Sequence, residues 1–220
     1  MSMNKAWGKT LVISDFDGTI AANDMGHDVI TRYAGDGWEE INRAYCAGEI
    51  GSRHAYEMIA ALFSVSREEI TRYVMARVQV DPYFKDFHRF CKEKGFSFII
   101  VSDGLDFYIR AVLETIGLET IPVYSNCAVF HENGNISVRF PHFNEECRRC
   151  GNCKLSILRK YREEFDTVVY VGDGHSDVCP SREADFVFAK SILFEKCLEN
   201  GKECIRYSNF GDIQNHLNNT

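Results

Sequence analysis

Three short runs of branched and aromatic residues each stop at a turn built from acids, hydroxyls and glycine: LVISDFDGT at 11–19, FSFIIVSDG at 96–104 and TVVYVGDGHSD at 167–177. Runs of this length and β-branched content read as buried strands, and stretches with helical periodicity stand between them. Repeated strand–helix units predict an α/β fold with a parallel sheet covered on both faces. In an open sheet of that kind the ligand crevice lies at the carboxyl edge of the strands. Asp15, Asp17, Ser102, Asp103, Gly104, Asp173 and Asp177 would meet there, around one acidic, phosphate-sized site.

A chain of 220 residues can bury one substantial core with a small insertion, but not two large domains. Its formal charge of -7, with lysines and arginines scattered, gives no basic footprint for nucleic acid. A small phosphorylated metabolite is the expected partner, and the oligomeric state stays open. No run of 18 apolar residues exists and MSMNKAWGKT lacks the apolar stretch of a secretory signal, so a cytoplasmic protein with no membrane partner is expected. Nine cysteines, an odd number, in buried-looking runs such as those of Cys127 and Cys179, do not read as a disulfide framework.

The first strand runs from Thr10 to Asp15. From about Asn23 to Val80 apolar residues recur at helical spacing, as in Val29, Ile30 and Tyr33, and Ser66 with Glu69 has the spacing of a capping box. The expected division is a Rossmann-like core at 1–21 and 81–220 with a helical insertion at 22–80. Asp81 followed by Pro82 opens a helix, a strand at 96–102 leads into a helix at 105–116 ended by Gly117, and a short strand covers 121–124. Residues 127–131 and 136–140 flank Asn133-Gly134 as an antiparallel hairpin. Helices at 154–164, 176–183, 191–200 and 209–218 and strands at 167–171 and 185–188 complete the chain.

Asp15 and Asp17 are two apart, which on an extended segment aims both side chains to one side. One carboxylate can then attack phosphorus while its neighbour keeps a proton for the departing oxygen. A dianionic phosphate approaches an anionic nucleophile only where positive charge is supplied. Asp15 and Asp173 offer the hard oxygen ligands that Mg²⁺ prefers. Ser102, backbone amides of the glycine turns and Lys154 at a helix start supply donors for the remaining oxygens.

In this order DFDGT, VSDG, Lys154 and GDGHSD resemble the four motifs of the haloacid dehalogenase superfamily of aspartate-based phosphohydrolases, and the resemblance covers nearly the whole chain. It implies a phosphoaspartyl intermediate on Asp15, acid/base action by Asp17, and Mg²⁺ held by Asp15, the Asp17 backbone carbonyl and Asp173, with support from Asp177. Ser102 and Lys154 match the phosphate-binding motifs. The helical insertion resembles the cap of the phosphoserine phosphatase branch. PHFNEECRRCGNCK followed by YVGDGHSDVCP looks like two relatives within that branch, the methionine-salvage 2-hydroxy-3-keto-5-methylthiopentenyl-1-phosphate phosphatases and the phosphoethanolamine/phosphocholine phosphatases. Asp103 resembles the second type and Gly18 the first, so the leaving group stays open. A non-catalytic phosphometabolite-binding protein is the rival from another class.

His142, Cys147, Cys150 and Cys153 have spacings that suit a structural Zn²⁺ or, alternatively, three reduced thiols in a loop. Trp38, Arg43, Tyr45, Arg53, His54 and Tyr56 either line a specificity pocket or form the core of the insertion. His175 either reaches the site or is solvated.

Overall fold

β1 (Thr10–Ser14) is buried along its whole length, as a strand covered on both faces must be. The computed structural model describes residues 7–219; residues 1–6 of the expected 1–21 segment, and Thr220, lie outside them. After β1 come four helices, α1 (Met25–Tyr33), α2 (Trp38–Cys46), α3 (Ser52–Ala60) and α4 (Arg67–Arg77). Two of them start on side-chain caps that satisfy otherwise orphaned amides: Asp24 accepts from His27 N at 2.8 Å and Ser66 Oγ from Glu69 N at 3.2 Å.

The chain then alternates: α5 (Phe84–Glu93), β2 (Ser97–Leu105), α6 (Asp106–Thr115), β3 (Val123–Phe130), β4 (Ile136–Arg139), α7 (Lys154–Arg162) and β5 (Thr167–Gly172). A 3-10 turn at His175–Asp177 runs into the single-turn α8 (Val178–Ser181), followed by β6 (Phe186–Ala189), α9 (Ser191–Glu199), β7 (Ile205–Arg206) and α10 (Phe210–Asn219). The sheet order is β4-β3-β2-β1-β5-β6-β7. Every pair is parallel except β3 with β4.

Period-two alternation divides the core. Val12, Phe98, Ile100, Val169 and Val171 belong to one apolar cluster with α5, α6 and α10, which continues into the inner sides of α1, α3 and α4. Leu11, Ile13, Ile99, Val101, Val168 and Tyr170 face α7 and α9. Neighbouring strands keep this in register, with Val12 opposite both Phe98 and Val169.

Four expectations change in detail. The strand at 121–124 and the hairpin arm at 127–131 are one strand, β3, whose first half pairs with β2 and whose second half pairs with β4. The helix foreseen at Pro82 begins at Phe84. Asp81 instead makes a tight turn, accepting from Tyr83 N at 2.9 Å, while its other oxygen accepts from Phe210 N at 3.1 Å and so caps α10. β7 was not foreseen, because two residues carry no periodicity. Cys179 is exposed, not buried. Among the described residues no helix is long and apolar enough to cross a membrane.

Candidate active site

The strand order reverses beside β1: β2 lies on one side and β5, reached much later in the chain, on the other. Between their carboxyl ends lies the crevice expected of such a switch point. Asp15 N donates to Val171 O at 2.9 Å, which prolongs the ladder one residue beyond β1. Phe16 points into the core, so Asp15 and Asp17 share the opposite side. Gly18 then turns the chain with φ +70, and a Cβ there would lie 2.2 Å from Asp173 Oδ2, so both conformation and space require glycine. Thr19 Oγ1 donates to Asp173 Oδ1 at 2.8 Å.

Lys154, the first residue of α7, places its Nζ 2.7 Å from Asp15 Oδ2 and 2.7 Å from Asp177 Oδ1, with almost no exposure of any of the three side chains. Asp177 is fully bonded. Its Oδ1 also accepts from Tyr170 OH at 2.7 Å, and its Oδ2 accepts from the backbone amides of Asp173 and Gly174 at 3.0 Å each. Burial alone pushes Asp177 up, but Lys154 and these donors outweigh it and hold the carboxyl below its ordinary range. Asp177 thereby fixes the turn that carries Asp173.

For Asp15 and Asp173 the compensation, from Lys154 and from Thr19, falls short of the cost of burial. Burial, reinforced by the charges of Asp177 and Asp173, holds Asp15 well above the usual carboxylate range despite Lys154. Burial and then Asp177 push Asp173 up to about 6. Asp15, Asp173 and Asp177 each offer an oxygen within 4.8 Å of the others. Ionised together, three carboxylates against one ammonium would leave an excess of two negative charges in a buried space, which is why Asp15 and Asp173 hold on to their protons without a cation. A divalent cation with a preference for oxygen fits that donor set and charge.

Asp17 is held differently. The Tyr108 hydroxyl donates to its Oδ2 and Met25 N, at the start of α1, donates to Oδ1 at 3.1 Å. Burial, then the nearby charge of Asp24, raises its pKa to about 7. Gly104 makes room for this pair: a Cβ there would meet Tyr108 OH at 2.1 Å and Asp17 Oδ2 at 2.5 Å.

Ser102, Asp103 and Gly104 lie where the pairing of β2 with β3 slips. Val101 opposes Tyr124 but Leu105 opposes Asn126, so β2 spends two extra residues in a bulge at the crevice. Ser102 Oγ accepts from Gly104 N at 3.0 Å. Two buried asparagines replace the lost ladder bonds. Asn152 Nδ2 donates to Ser102 O at 2.7 Å and Tyr124 O at 2.8 Å, and Asn126 Nδ2 donates to Asp103 O at 2.6 Å.

The crevice is a cavity of about 330 Å³ with Asp15, Asp17, Ser102 and Asp173 on one side and Asp24, Tyr45 and Tyr56 from the helical segment on the other. Among the described residues that line it there is no lysine or arginine; Lys154 sits behind Asp15. Asp103, Gly104 and exposed His175 also reach it. Of the other candidates in the helical segment, Trp38 packs on His27, Arg53 lies over the Phe143 ring and His54 faces Glu57.

The zinc expectation is corrected. Among the described residues the acidic trio is the only group of three or more histidines, cysteines and acids that could close on one ion, so His142, Cys147, Cys150 and Cys153 do not converge. Cys147 is exposed and Cys153 is buried at the start of α7, where its sulfur accepts from Ser156 Oγ at 3.1 Å. The His142 ring packs edge-on to Tyr124. Burial, then Asp103, pushes the Cys150 thiol up to about 12, which disfavours a thiolate.

Thr19, Tyr108, Tyr170, Asn126 and Asn152 were missed. Thr19 stands inside DFDGT and was accessible to the sequence. Tyr108 and Tyr170 occupy apolar faces and read as core, which they also are.

The family model described as Putative Phosphatase matches residues 10–208. The bifunctional enzyme MtnB/MtnX of Bacillus licheniformis is 34% identical over 216 residues, 96% of this chain and 50% of that protein. The 2-hydroxy-3-keto-5-methylthiopentenyl-1-phosphate phosphatase of Bacillus pumilus is 32% identical over 209 residues, 94% of this chain and 90% of that one. The chain thus spans half of the bifunctional relative and nine-tenths of the other. The phospho-aspartyl intermediate analogue of phosphoserine phosphatase superposes with a TM-score of 0.71 at 22% identity, over 95% of this chain and 99% of that one. A haloacid dehalogenase family hydrolase of Salmonella enterica serovar Typhi gives 0.72 at 18% identity, over 94% and 70%. Fold and matched length agree: the chain has the fold of the phosphoserine phosphatases and belongs to the Putative Phosphatase family.

Proposed function

We propose that this phosphatase cleaves a small phosphomonoester through a phosphoaspartate on Asp15, with a methionine-salvage enol phosphate as its substrate. The observation that carries the chemistry is the pairing of Asp15, held by Lys154, with Asp17, whose pKa near 7 leaves it partly protonated at neutral pH. Asp15 Oδ attacks phosphorus as the bond to the leaving oxygen breaks, and Asp17 gives that oxygen its proton. Asp17, now a carboxylate, takes a proton from water as the water oxygen attacks the phosphoaspartate, which frees phosphate and restores Asp15. Ser102 and the turn amides bind the phosphoryl oxygens, and Lys154, behind Asp15, adds its positive charge to them from its place on Asp15 and Asp177.

Mg²⁺ would be held by Asp15, Asp173 and the Asp17 carbonyl, with Asp177 setting the Asp173 turn; when bound it offsets the charge of phosphate and carboxylates. The helical segment, 22–80, acts as a cap that excludes water from the cavity during transfer.

The substrate reading rests on the likeness to the methylthiopentenyl phosphate phosphatases and on the cavity wall. A wall of Asp24, Tyr45, Tyr56, Ile30 and Ile59 without lysine or arginine suits a leaving group that carries no second anion. The same acid and tyrosines favour a second reading, a cationic amine head group as in phosphoethanolamine or phosphocholine. Comparison of kcat/KM across these substrates and phosphoserine separates them. The enol phosphate should be cleaved at least tenfold better than the rest, and a preference for phosphoserine would overturn the reading.

A further inference from the structure

Asp103 stands in the bulge of β2, one residue past Ser102, and three separate parts of the chain meet on its carboxylate. Asn126 Nδ2 of β3 donates to Asp103 Oδ1 at 3.0 Å, and Asn152 N, two residues before Lys154, donates to the same oxygen at 3.1 Å. The Ser52 hydroxyl, on the first residue of α3, lies close enough to this carboxyl to oppose the upward push of burial on it. That hydroxyl in turn accepts from Gly151 N at 3.0 Å, and Ser52 is only 5% exposed.

The loop that ends at Lys154 grips α3 around this point. Arg53 N donates to Arg149 O at 3.3 Å and Arg149 Nη2 donates to Gly48 O at 3.0 Å. A Cβ on Gly51 would lie 1.9 Å from Arg149 O, so loop and helix start touch backbone to backbone. The cysteine-rich stretch is thereby a strap across the helical segment, and Asn152 carries its pull to both Ser102 O and Asp103.

We propose that Asp103 is a positioning residue that latches the helical segment to the phosphate site. Its carboxylate ties the start of α3 to the loop that sets Lys154, so closure over the cavity and alignment of Lys154 with Asp15 form one coupled arrangement. Asp103 lines the cavity, but Asn126 and the Asn152 amide both hold its Oδ1 and turn it to this structural task. The kinetic consequence rests on the phosphatase reading above, whereas the latch itself is readable without turnover.

The test is a double-mutant cycle of Asp103→Asn and Ser52→Ala on the full chain, followed by amide hydrogen exchange over 48–60 and 149–154 and by kcat/KM. Ser52→Ala leaves the Asp103 carboxylate in place, and a cooperative melt identifies variants that still fold. The latch predicts that each single variant speeds exchange in both segments about tenfold, lowers kcat/KM about tenfold, and that the double variant is no worse than either single one. Unchanged exchange in Ser52→Ala, or additive losses in the double variant, would overturn it. Were the wild-type chain to hydrolyse none of the substrates, the functional reading would fall while the exchange data still decided the latch.

Discussion

The Lys154 ammonium lies 2.7 Å from the Asp15 carboxylate, and neither side chain is exposed beyond 8%. A buried ion pair of this kind gives little net stability when intact, but removal of one partner is costly. Lys154→Met leaves Asp177 buried with its tyrosine and amide donors but no counter-charge. The expected loss is about 3 kcal/mol in denaturant unfolding, together with a fall in kcat of at least about a hundredfold. A variant as stable as wild type would contradict the charge assignment.

Asp17 should set the alkaline limb of the rate profile. Its pKa of about 7 means that the acid form needed by the leaving group is lost above that pH. kcat/KM is expected to fall about tenfold per pH unit above 7 for substrates with a poor leaving group, and much less for an aryl phosphate that departs without a proton. Asp17→Asn should abolish the first activity and leave part of the second; equal losses on both would count against the acid role.

Metal-free protein should lose stability as pH rises. Asp173 and Asp17 have folded-state pKa values raised from 3.8 to about 6 and about 7. Their contribution is therefore complete below pH 4 and is lost as pH passes through 6 and 7, because the folded state then holds protons that the unfolded chain does not. Tm between pH 5 and 8 should decline more steeply in wild type than in Asp173→Asn. Mg²⁺ at a hundred times its Kd should restore about 2.7 kcal/mol to wild type at pH 8, and far less to Asp173→Asn.

What was legible in the sequence follows from what is local. DFDGT, VSDG and GDGHSD could be placed because each ends a short apolar strand, and a parallel sheet brings strand ends to one edge whatever the details of packing. The hairpin at Asn133-Gly134 was equally local, with Gly134 at φ +84. The partners that tune the site were not legible. Tyr108 reaches Asp17 from 91 positions away and Asn152 reaches Ser102 from 50, and neither residue type differs there from an ordinary core or loop residue. Cys147, Cys150 and Cys153 show the opposite failure. Their spacing suggests a metal knot, but the loop is spent on contacts with the start of α3, and these sulfurs do not close on one ion.

Gly18 offers a sharp steric test. Gly18→Ala forces a left-handed backbone and a collision with Asp173, so it should weaken Mg²⁺ binding at least about tenfold while the sheet still folds. Unaltered metal affinity by calorimetry would show that the turn relaxes without moving Asp173.

The central claim is covalent attack by Asp15, and trapping it is the most direct measurement. Enzyme mixed with substrate and Mg²⁺ is acid-quenched within one turnover and digested, and its peptides are weighed. The account predicts one phosphoryl group on the peptide that contains Asp15, absent from Asp15→Asn and chased away by longer incubation. Phosphate release at the normal rate with no phosphorylated peptide at any quench time, or with the label on another residue, would contradict it.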